Sequence, residues 1–557
     1  MPRRYPHFSL VIAAALLLGA CQPTAPTPTA TPPATDTPAA TTTSAPPTNT
    51  AGPTDTPAPT AVPPTATPLP YDTPAWFKEG GLYQIFVRSF RDSNGDGIGD
   101  LDGITSQLDY IQSLGVNTIW LTPIFGADTY HGYDTTDYYS INPDFGTKDD
   151  LIELVDAAHA RGLHIVLDYV ASHTSNQFPY FLASYAQPDS EYSDWYIWKD
   201  DKHLTYQSFA GVTSLPTLNH ATPAVNDYLI DVAKYWMDLD DDGDYTDGID
   251  GWRCDYALGS PHGFWKQLRS ALKPLNPDFL LLGEVWVDDP SKQEPYYEDE
   301  FDAQFNFPLF MGAMGATERA NDNLWTGDGA ATAITSLLDE QFRVLPEQAI
   351  PVNFFSNHDT DRLATELSEM PERLSLVPWF LAALPNPPAI YYGEELGMVG
   401  HKGGGPIYDE YRREPLDWYA AAAGEGQTAW FKTKYTLPAD GISVEEEAAD
   451  PASLLNTYRA ALNLRASTPA LRSGSYTTLR VNPRVGIIAF WRATDDQLVL
   501  ALFNISLNAA TFSFDPATAP GPLAATPLNL VTGQPQALDP AATTLEPGAF
   551  LLLDVTP

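Results

Sequence analysis

Between residues 82 and 395 the chain repeats one alternation, a short apolar run followed by a stretch with apolar residues three or four positions apart. The apolar runs cover residues 82–90, 116–124, 163–170, 248–255, 279–286, 301–308, 351–359 and 388–395. Runs of this length, rich in β-branched and aromatic residues, predict buried strands. The stretches between them, such as 149–161 (DDLIELVDAAHAR) and 224–237, carry the helical period. Strand–helix alternation predicts an α/β architecture with a parallel sheet. Eight repeats predict a (β/α)8 TIM barrel, with its functional residues at the C-terminal ends of the strands. After residue 474 the pattern changes to strands alone, predicted at 479–481, 485–491, 498–503 and 550–555. The helical stretch 454–471 leads into them.

The strand ends are where acids collect. The third run ends in Asp168, with His173 five residues on. The fourth ends in Arg253 and Asp255, the fifth carries Glu284, and the seventh ends in His358 and Asp359. One acid after a strand is commonly a helix N-cap. Four of them on one rim, with an arginine and two histidines, fit glycosidic cleavage instead. A retaining mechanism needs two carboxylates roughly 5 Å apart, one a nucleophile and one a general acid and then base. A neighbouring cation keeps the nucleophile ionised, and a drier site keeps the acid protonated.

Directly after the first run stands D-S-N-G-D-G-I-G-D-L-D, residues 92–102. Hard oxygen donors at alternate positions around a glycine turn are the beginning of a calcium loop. It does not continue as an EF-hand, because position 12 counted from Asp92 is Gly103 and the preceding segment reads as a strand; the residues fit a calcium site in another fold or only a glycine-rich turn. A second acidic run, Asp238 to Asp244, alternates in the same way, and there a solvated acidic loop is an equal reading.

Composition narrows the partners. Lys+Arg is 30 against Asp+Glu 71, a net charge of −41, which opposes nucleic-acid binding. Aromatic residues make up 12% of the chain, with 13 Trp, enough for a large core and for sugar-stacking faces. Arg3 and Arg4 precede an apolar run from 8 to 18, too short for a comfortable membrane span, that closes in Leu18-Gly19-Ala20-Cys21. This ending resembles a bacterial lipobox, so residues 1–21 are expected to be a signal, with Cys21 becoming a lipidated N-terminus. The expected location is outside the cytoplasm, as a lipoprotein anchored to a membrane and facing the extracellular or periplasmic side. Residues 22–70 are almost all Thr, Pro and Ala, a composition that cannot bury a core. At ~3.1 Å per residue such a stalk reaches up to ~150 Å. Cys254 is the only other cysteine, so no disulfide is expected.

Taken together, four motifs in order, D-Y-V-A-S-H (168–173), G-W-R-C-D (251–255), G-E-V-W (283–286) and F-S-N-H-D (355–359), resemble those of glycoside hydrolase family 13, the α-amylase family. Y-H-G-Y-D (130–134) and Y-Y-G-E-E (391–395) resemble further members of the set. The resemblance runs from about residue 71 to the C-terminus. It implies a barrel over 71–168 and 221–473, an inserted domain at 169–220 after strand three, and a C-terminal antiparallel β-sandwich domain at 474–557. It implies Asp255 as nucleophile, Glu284 as acid/base and Asp359 as transition-state stabiliser, with Arg253 keeping Asp255 ionised. Asp168, His173, His131 and His358 would hydrogen-bond the sugar, and Tyr133 would stack beneath it. The loop after strand one would bind Ca2+ through Asp92, Asn94, Asp96, Asp100 and the carbonyl of Ile98.

The chain departs from the pattern at Ser172, where many members have Asn, and at Gly259, where some have His. L-P-T-L-N (215–219) carries Thr217 where the neopullulanase and oligo-1,6-glucosidase branches have Asp. The subgroup resembled lies between those branches. The activity implied is endo-hydrolysis of α-1,4 bonds in starch-like glucans and maltooligosaccharides; separately, a monomer is expected. In an exo-acting α-glucosidase or oligo-1,6-glucosidase, an Asp pairs with an Arg to close the site; Asp134 and Arg413 stand where such a pair would form. Transglycosylation is a further alternative. A non-catalytic relative would lack the three acids, which are all present.

Overall fold

Eight short parallel strands make the barrel: β1 (Leu82–Ile85), β2 (Thr118–Leu121), β3 (His164–Tyr169), β4 (Gly251–Cys254), β5 (Leu280–Gly283), β6 (Ala303–Phe305), β7 (Ile350–Val352) and β8 (Ala389–Tyr391). They pair in the order β8-β1-β2-β3-β4-β5-β6-β7. A parallel bridge between Asn353 and Pro388 closes the ring, with Ala389 N donating to Asn353 O at 2.8 Å. This computed structural model describes residues 72–314, 330–367, 370–404, 407–481 and 486–557. The expected signal, Cys21 and the stalk at 22–70 lie outside the described residues. Each strand falls on its predicted run but is shorter, because pairing stops where the chain turns out over the rim; β7 begins one residue early, at Ile350.

Alternation along the strands determines what faces inward. Leu82, Trp120, Val166, Leu280, Leu282, Phe305, Val352 and Ala389 fill the barrel interior. Their neighbours Tyr83, Ile119, Ile165, Trp252, Cys254, Leu281 and Ile390 belong to the separate core under the helices. Burial on both faces explains why the strands read as continuous apolar runs. Continuing the inward parity upward reaches Gln84, Asp168, Arg253 with Asp255, and Glu284. The barrel's geometry thereby delivers these polar groups to its mouth.

Helix Lys148–His159 shows why the helical stretches form. Thr147 and Asp150 make a reciprocal capping box, and Leu151, Leu154, Val155 and Ala158 form its buried stripe. The stretch 454–471 divides into helices Leu454–Ser467 and Pro469–Ser473. Thr468 between them is extended, as the residue before a proline must be. The segment expected to be an inserted domain has little regular structure, holding helix Pro179–Ser184 and bridges such as His173–Thr217 and Trp198–Tyr206.

The C-terminal sheet is β9 (Ser475–Thr478), β10 (Ile487–Ala493), β11 (Leu498–Asn504), β12 (Leu528–Asn529), β13 (Gln534–Pro535) and β14 (Phe550–Asp554), ordered β9-β10-β11-β14-β12-β13. The strand expected at 479–481 ends instead at Thr478. One face packs on a ribbon of Ala510–Phe512 and Thr543–Leu545. The other meets barrel helix Val377–Ala383, where Phe380 lies 5.1 Å from Phe503 and Trp379 5.3 Å from Phe550 between ring centroids. Buried Arg492 pins this seam by donating to Ala383 O at 2.7 Å, and buried Arg465 ties helix Leu454–Ser467 to Leu384 O at 2.8 Å. Among the described residues no helix is long and apolar enough to cross a membrane.

Candidate active site

One guanidinium organises the barrel mouth. Arg253 is fully buried, lies 4.9 Å over the Trp120 ring, and faces three carboxylates from three strands. Its Nη1 donates to Asp168 Oδ1 at 2.9 Å and to Asp255 Oδ1 at 2.6 Å. Its Nη2 pairs with Glu284 Oε1. The rigid fork of an arginine can hold several oxygens at fixed angles, which a lysine cannot. Asp168 also accepts from Trp120 Nε1 at 3.1 Å and Tyr133 OH at 3.0 Å.

The two carboxylates beside Arg253 differ in surroundings. Glu284 is buried, and its Oε2 accepts from the backbone N–H of Tyr256 at 2.8 Å. Burial pushes its pKa up to about 8; Arg253 opposes the rise, and the charges of Asp255 and Asp359 add to it. Burial also raises Asp168, against the pull of Arg253. Asp359 behaves oppositely. Burial acts to raise it, but His358, Arg413 and Arg253 prevail and hold it below the ordinary carboxylate value.

The three predicted histidines all converge on Tyr133. Its backbone N–H donates to His131 Nδ1 at 3.1 Å, and its carbonyl accepts from His173 Nε2 at 3.1 Å. Its hydroxyl lies 2.6 Å from His358 Nε2, with the two rings stacked at 5.4 Å and 9°. Burial lowers all three imidazoles, His131 and His358 to about 3. Gln84 Nε2 donates to His358 Nδ1 at 2.7 Å, which leaves the proton on Nε2, facing Tyr133 and, at 3.2 Å, Asp359 Oδ2. The histidines therefore brace the ring expected to lie under the sugar.

Asp134 and Arg413, the two residues that would pair to close an exo-acting site, bond to other partners. Asp134 turns back into its own loop and accepts from Thr129 N and Oγ1. Tyr133 and Asp134 are adjacent, so with the tyrosine in the mouth the aspartate points away. Arg413 instead donates to Asp359 Oδ1 and His358 O, both at 3.0 Å, and reaches Tyr130 OH at 3.4 Å. Arg412 adds a bond to the Asp359 carbonyl at 2.9 Å.

Sequence reasoning missed Trp120, Gln84 and Arg412. Gln84 left a signal, a polar residue midway through an apolar strand. Gly259 is explained by its neighbours: a Cβ there would come within 2.4 Å of the Tyr256 ring and 2.8 Å of Ser172 Cβ. Tyr256 itself has a left-handed backbone, φ 39°, and its ring meets Phe209 edge-on at 4.9 Å.

The family described as alpha amylase, catalytic domain, matches residues 84–474. The chain belongs to glycoside hydrolase family 13, the α-amylase family. It is 34% identical over 465 residues to alpha-amylase 3 of Dictyoglomus thermophilum, covering 80% of this chain and 88% of that protein. It is 31% identical to a cyclomaltodextrinase of a Bacillus species, over 78% and 74% of the two chains. The crystal structure of the alpha-amylase from H. orenii superposes with a TM-score of 0.71 at 32% identity, covering 86% of this chain and 99% of that one. The protein is thus an α-amylase-family glycosidase, and its barrel mouth is where the family's chemistry is expected.

The loop after β1 holds hard-oxygen donors. Asp92 and Asp100 are buried. Asp92 accepts from the N–H groups of Asn94, Gly95 and Gly97 at 3.0, 2.6 and 2.8 Å. Asn94 Nδ2 reaches Asp100 Oδ2 at 3.3 Å, while Asp96 is exposed and accepts from Ile98 N at 2.8 Å. Among the described residues no Lys, Arg or His forms an ion pair with Asp92, Asp96 or Asp100. Two buried carboxylates without a cationic side chain fit a bound hard cation. In the second acidic run Asp238, Asp240 and Asp242 lie close together, but Asp240 and Asp242 are exposed and Asp238 accepts from Asp242 N and Gly243 N at 3.0 Å.

Proposed function

We propose that this family 13 member hydrolyses internal α-1,4 bonds of starch-like glucans with retention of configuration. The observation that carries the reading is the Arg253 fork, which holds Asp255 and Glu284 on its two terminal nitrogens. Such closeness favours direct attack over the wider spacing that an intervening water requires. Asp255, ion-paired with Arg253, attacks the anomeric carbon while Glu284 protonates the departing glycosidic oxygen. Water then enters, Glu284 takes its proton, and the glycosyl–Asp255 bond breaks. Asp359, held ionised by Arg413 and His358, faces the positive charge that develops on the sugar. Tyr133 stacks beneath the ring, with Asp168 and the histidines around it.

That Asp134 and Arg413 bond to other partners and not to each other supports an open cleft. An early-time product profile on maltoheptaose and amylose, beside panose and isomaltose, tests this, with Glu284→Gln as blank. Mixed maltotriose- and maltotetraose-sized products at low conversion are expected. Glucose alone from the start, with isomaltose cleaved, would establish the exo-acting reading. Products longer than the substrate would establish transglycosylation.

We also propose that Asp92, Asn94, Asp96, Asp100 and the Ile98 carbonyl take Ca2+, as the resemblance implies. The ion would tie the loop after β1 without touching the reacting sugar. Chelation is expected to lower the Tm by several degrees, the size of a change of a few kcal/mol in a domain this large. Asn94→Ala removes one ligand and leaves the buried aspartates in place, so its chelation shift should be smaller. Equal melting with and without chelator, and no heat on calcium titration, would refute the site.

A further inference from the structure

At the opposite end of the barrel from the catalytic mouth, three metal-ligating side chains meet where three elements begin or end. His159 is the last residue of helix Lys148–His159, His164 is the first residue of β3, and Asp250 immediately precedes β4. His159 Nε2 lies 2.9 Å from Asp250 Oδ2, and His164 Nδ1 lies 2.7 Å from Asp250 Oδ1. Their ligand atoms all fall within 4.8 Å of one another.

We infer that His159, His164 and Asp250 form a site for a zinc-type transition-metal ion. Two imidazoles and one carboxylate are a donor set that suits zinc and its neighbours and not calcium. Donors at 2.0–2.1 Å from a tetrahedral ion lie roughly 3.4 Å apart. The two N···O separations, each to a different oxygen of Asp250, thus need to open by about 0.5 and 0.7 Å. Each imidazole then presents an unprotonated nitrogen to the ion, its N–H moving to the other ring nitrogen. A water would take the fourth position.

The frame around the site is stiff. Asp250 exchanges backbone bonds with Ile165 O at 2.8 Å and, through Oδ2, with Ile165 N at 2.7 Å. Its carbonyl accepts from Leu280 N at 2.8 Å. The Trp76 ring covers His164 at 4.0 Å and 18°. The side chains remain 28%, 23% and 13% exposed for His159, His164 and Asp250, so an ion has access from solvent. Bound there, it ties the end of one barrel helix to the starts of two strands, at the barrel face where side chains serve stability. This inference does not depend on which glucan bond the enzyme cleaves.

The test uses the untagged full chain, stripped of metal and returned to calcium-containing buffer so that hard-cation loops are filled. Zinc chloride is titrated by calorimetry into wild type and into His159→Gln, His164→Gln and the double variant. Glutamine keeps an N–H near Asp250 and removes the imidazole. The wild type is expected to bind one zinc per chain more than the double variant, with a zinc-dependent rise in Tm. Each single variant should lose at least about tenfold in affinity, the lower end of what even outer-sphere changes cost. Maltoheptaose turnover should not respond to either substitution. Equal zinc uptake by wild type and double variant, or none by the wild type, overturns the inference. Should the double variant fail to fold, Cu2+ on the wild type decides: imidazole nitrogen couplings in its electron paramagnetic resonance spectrum support the site, and oxygen-only ligation overturns it.

Discussion

Asp255→Asn is expected to reduce kcat on maltoheptaose by at least about 10⁴-fold, the scale seen when a covalent nucleophile is removed. Asparagine has the same shape, and Arg253 keeps Asp168 and Glu284 as partners. The fold should therefore survive, as checked by an unchanged near-UV spectrum and a Tm close to that of the wild type. What disappears is the carboxylate that forms the glycosyl bond. The substitution also removes a negative charge that helps to raise Glu284, so any residual activity should show its alkaline limb at lower pH. A variant turning over at the wild-type rate would remove Asp255 from the mechanism. A variant crippled in KM alone would make it a binding residue.

The second large effect concerns Glu284. Its pKa is pushed up to about 8, first by burial. The acid step needs the protonated form, so kcat/KM should be flat just below that value and fall as pH rises through it. Glu284→Gln keeps the contact with the Tyr256 N–H but has no proton to give. It should lose about 10²–10⁴-fold on maltooligosaccharides, the usual range for general acid–base catalysis, and the alkaline limb should vanish. An aryl glycoside with a good leaving group should suffer less in its first step. If the limb persists unchanged in Glu284→Gln, the titrating group lies elsewhere. If the aryl substrate loses as much as the oligosaccharide, Glu284 is not the acid.

Both effects rest on residues legible in the linear chain, because period and parity are local. Runs alternating with helical stretches carry the barrel. Since inward-facing positions recur every second residue, Arg253 and Asp255 share one face of β4, and Glu284 continues the inward row of Leu280 and Leu282. The loop at 92–102 is readable for the same reason, as its donors are at most eight residues apart.

Side-chain partnerships across long sequence separations were decided only by the tertiary structure. The sequence placed Asp134 and Arg413 in the same rim, but direction within a turn depends on which neighbour takes the mouth, and Tyr133 takes it. Arg413 accordingly reaches Asp359 and Tyr130. The histidines lie at 131, 173 and 358, and nothing local says that they meet on one tyrosine; closure of the barrel brings them there. Gln84 and Trp120 complete the network through strands β1 and β2, 274 residues separating Gln84 from His358. The His159–His164–Asp250 cluster has the same origin. Its two histidines are near in sequence, but the carboxylate between them arrives only when β4 pairs beside β3. By itself the sequence determined the repeating strand–helix plan and the acids that cap its strands, because both follow from local period. Only the folded barrel decided which of those groups touch, because contact depends on the closed ring that no local stretch contains.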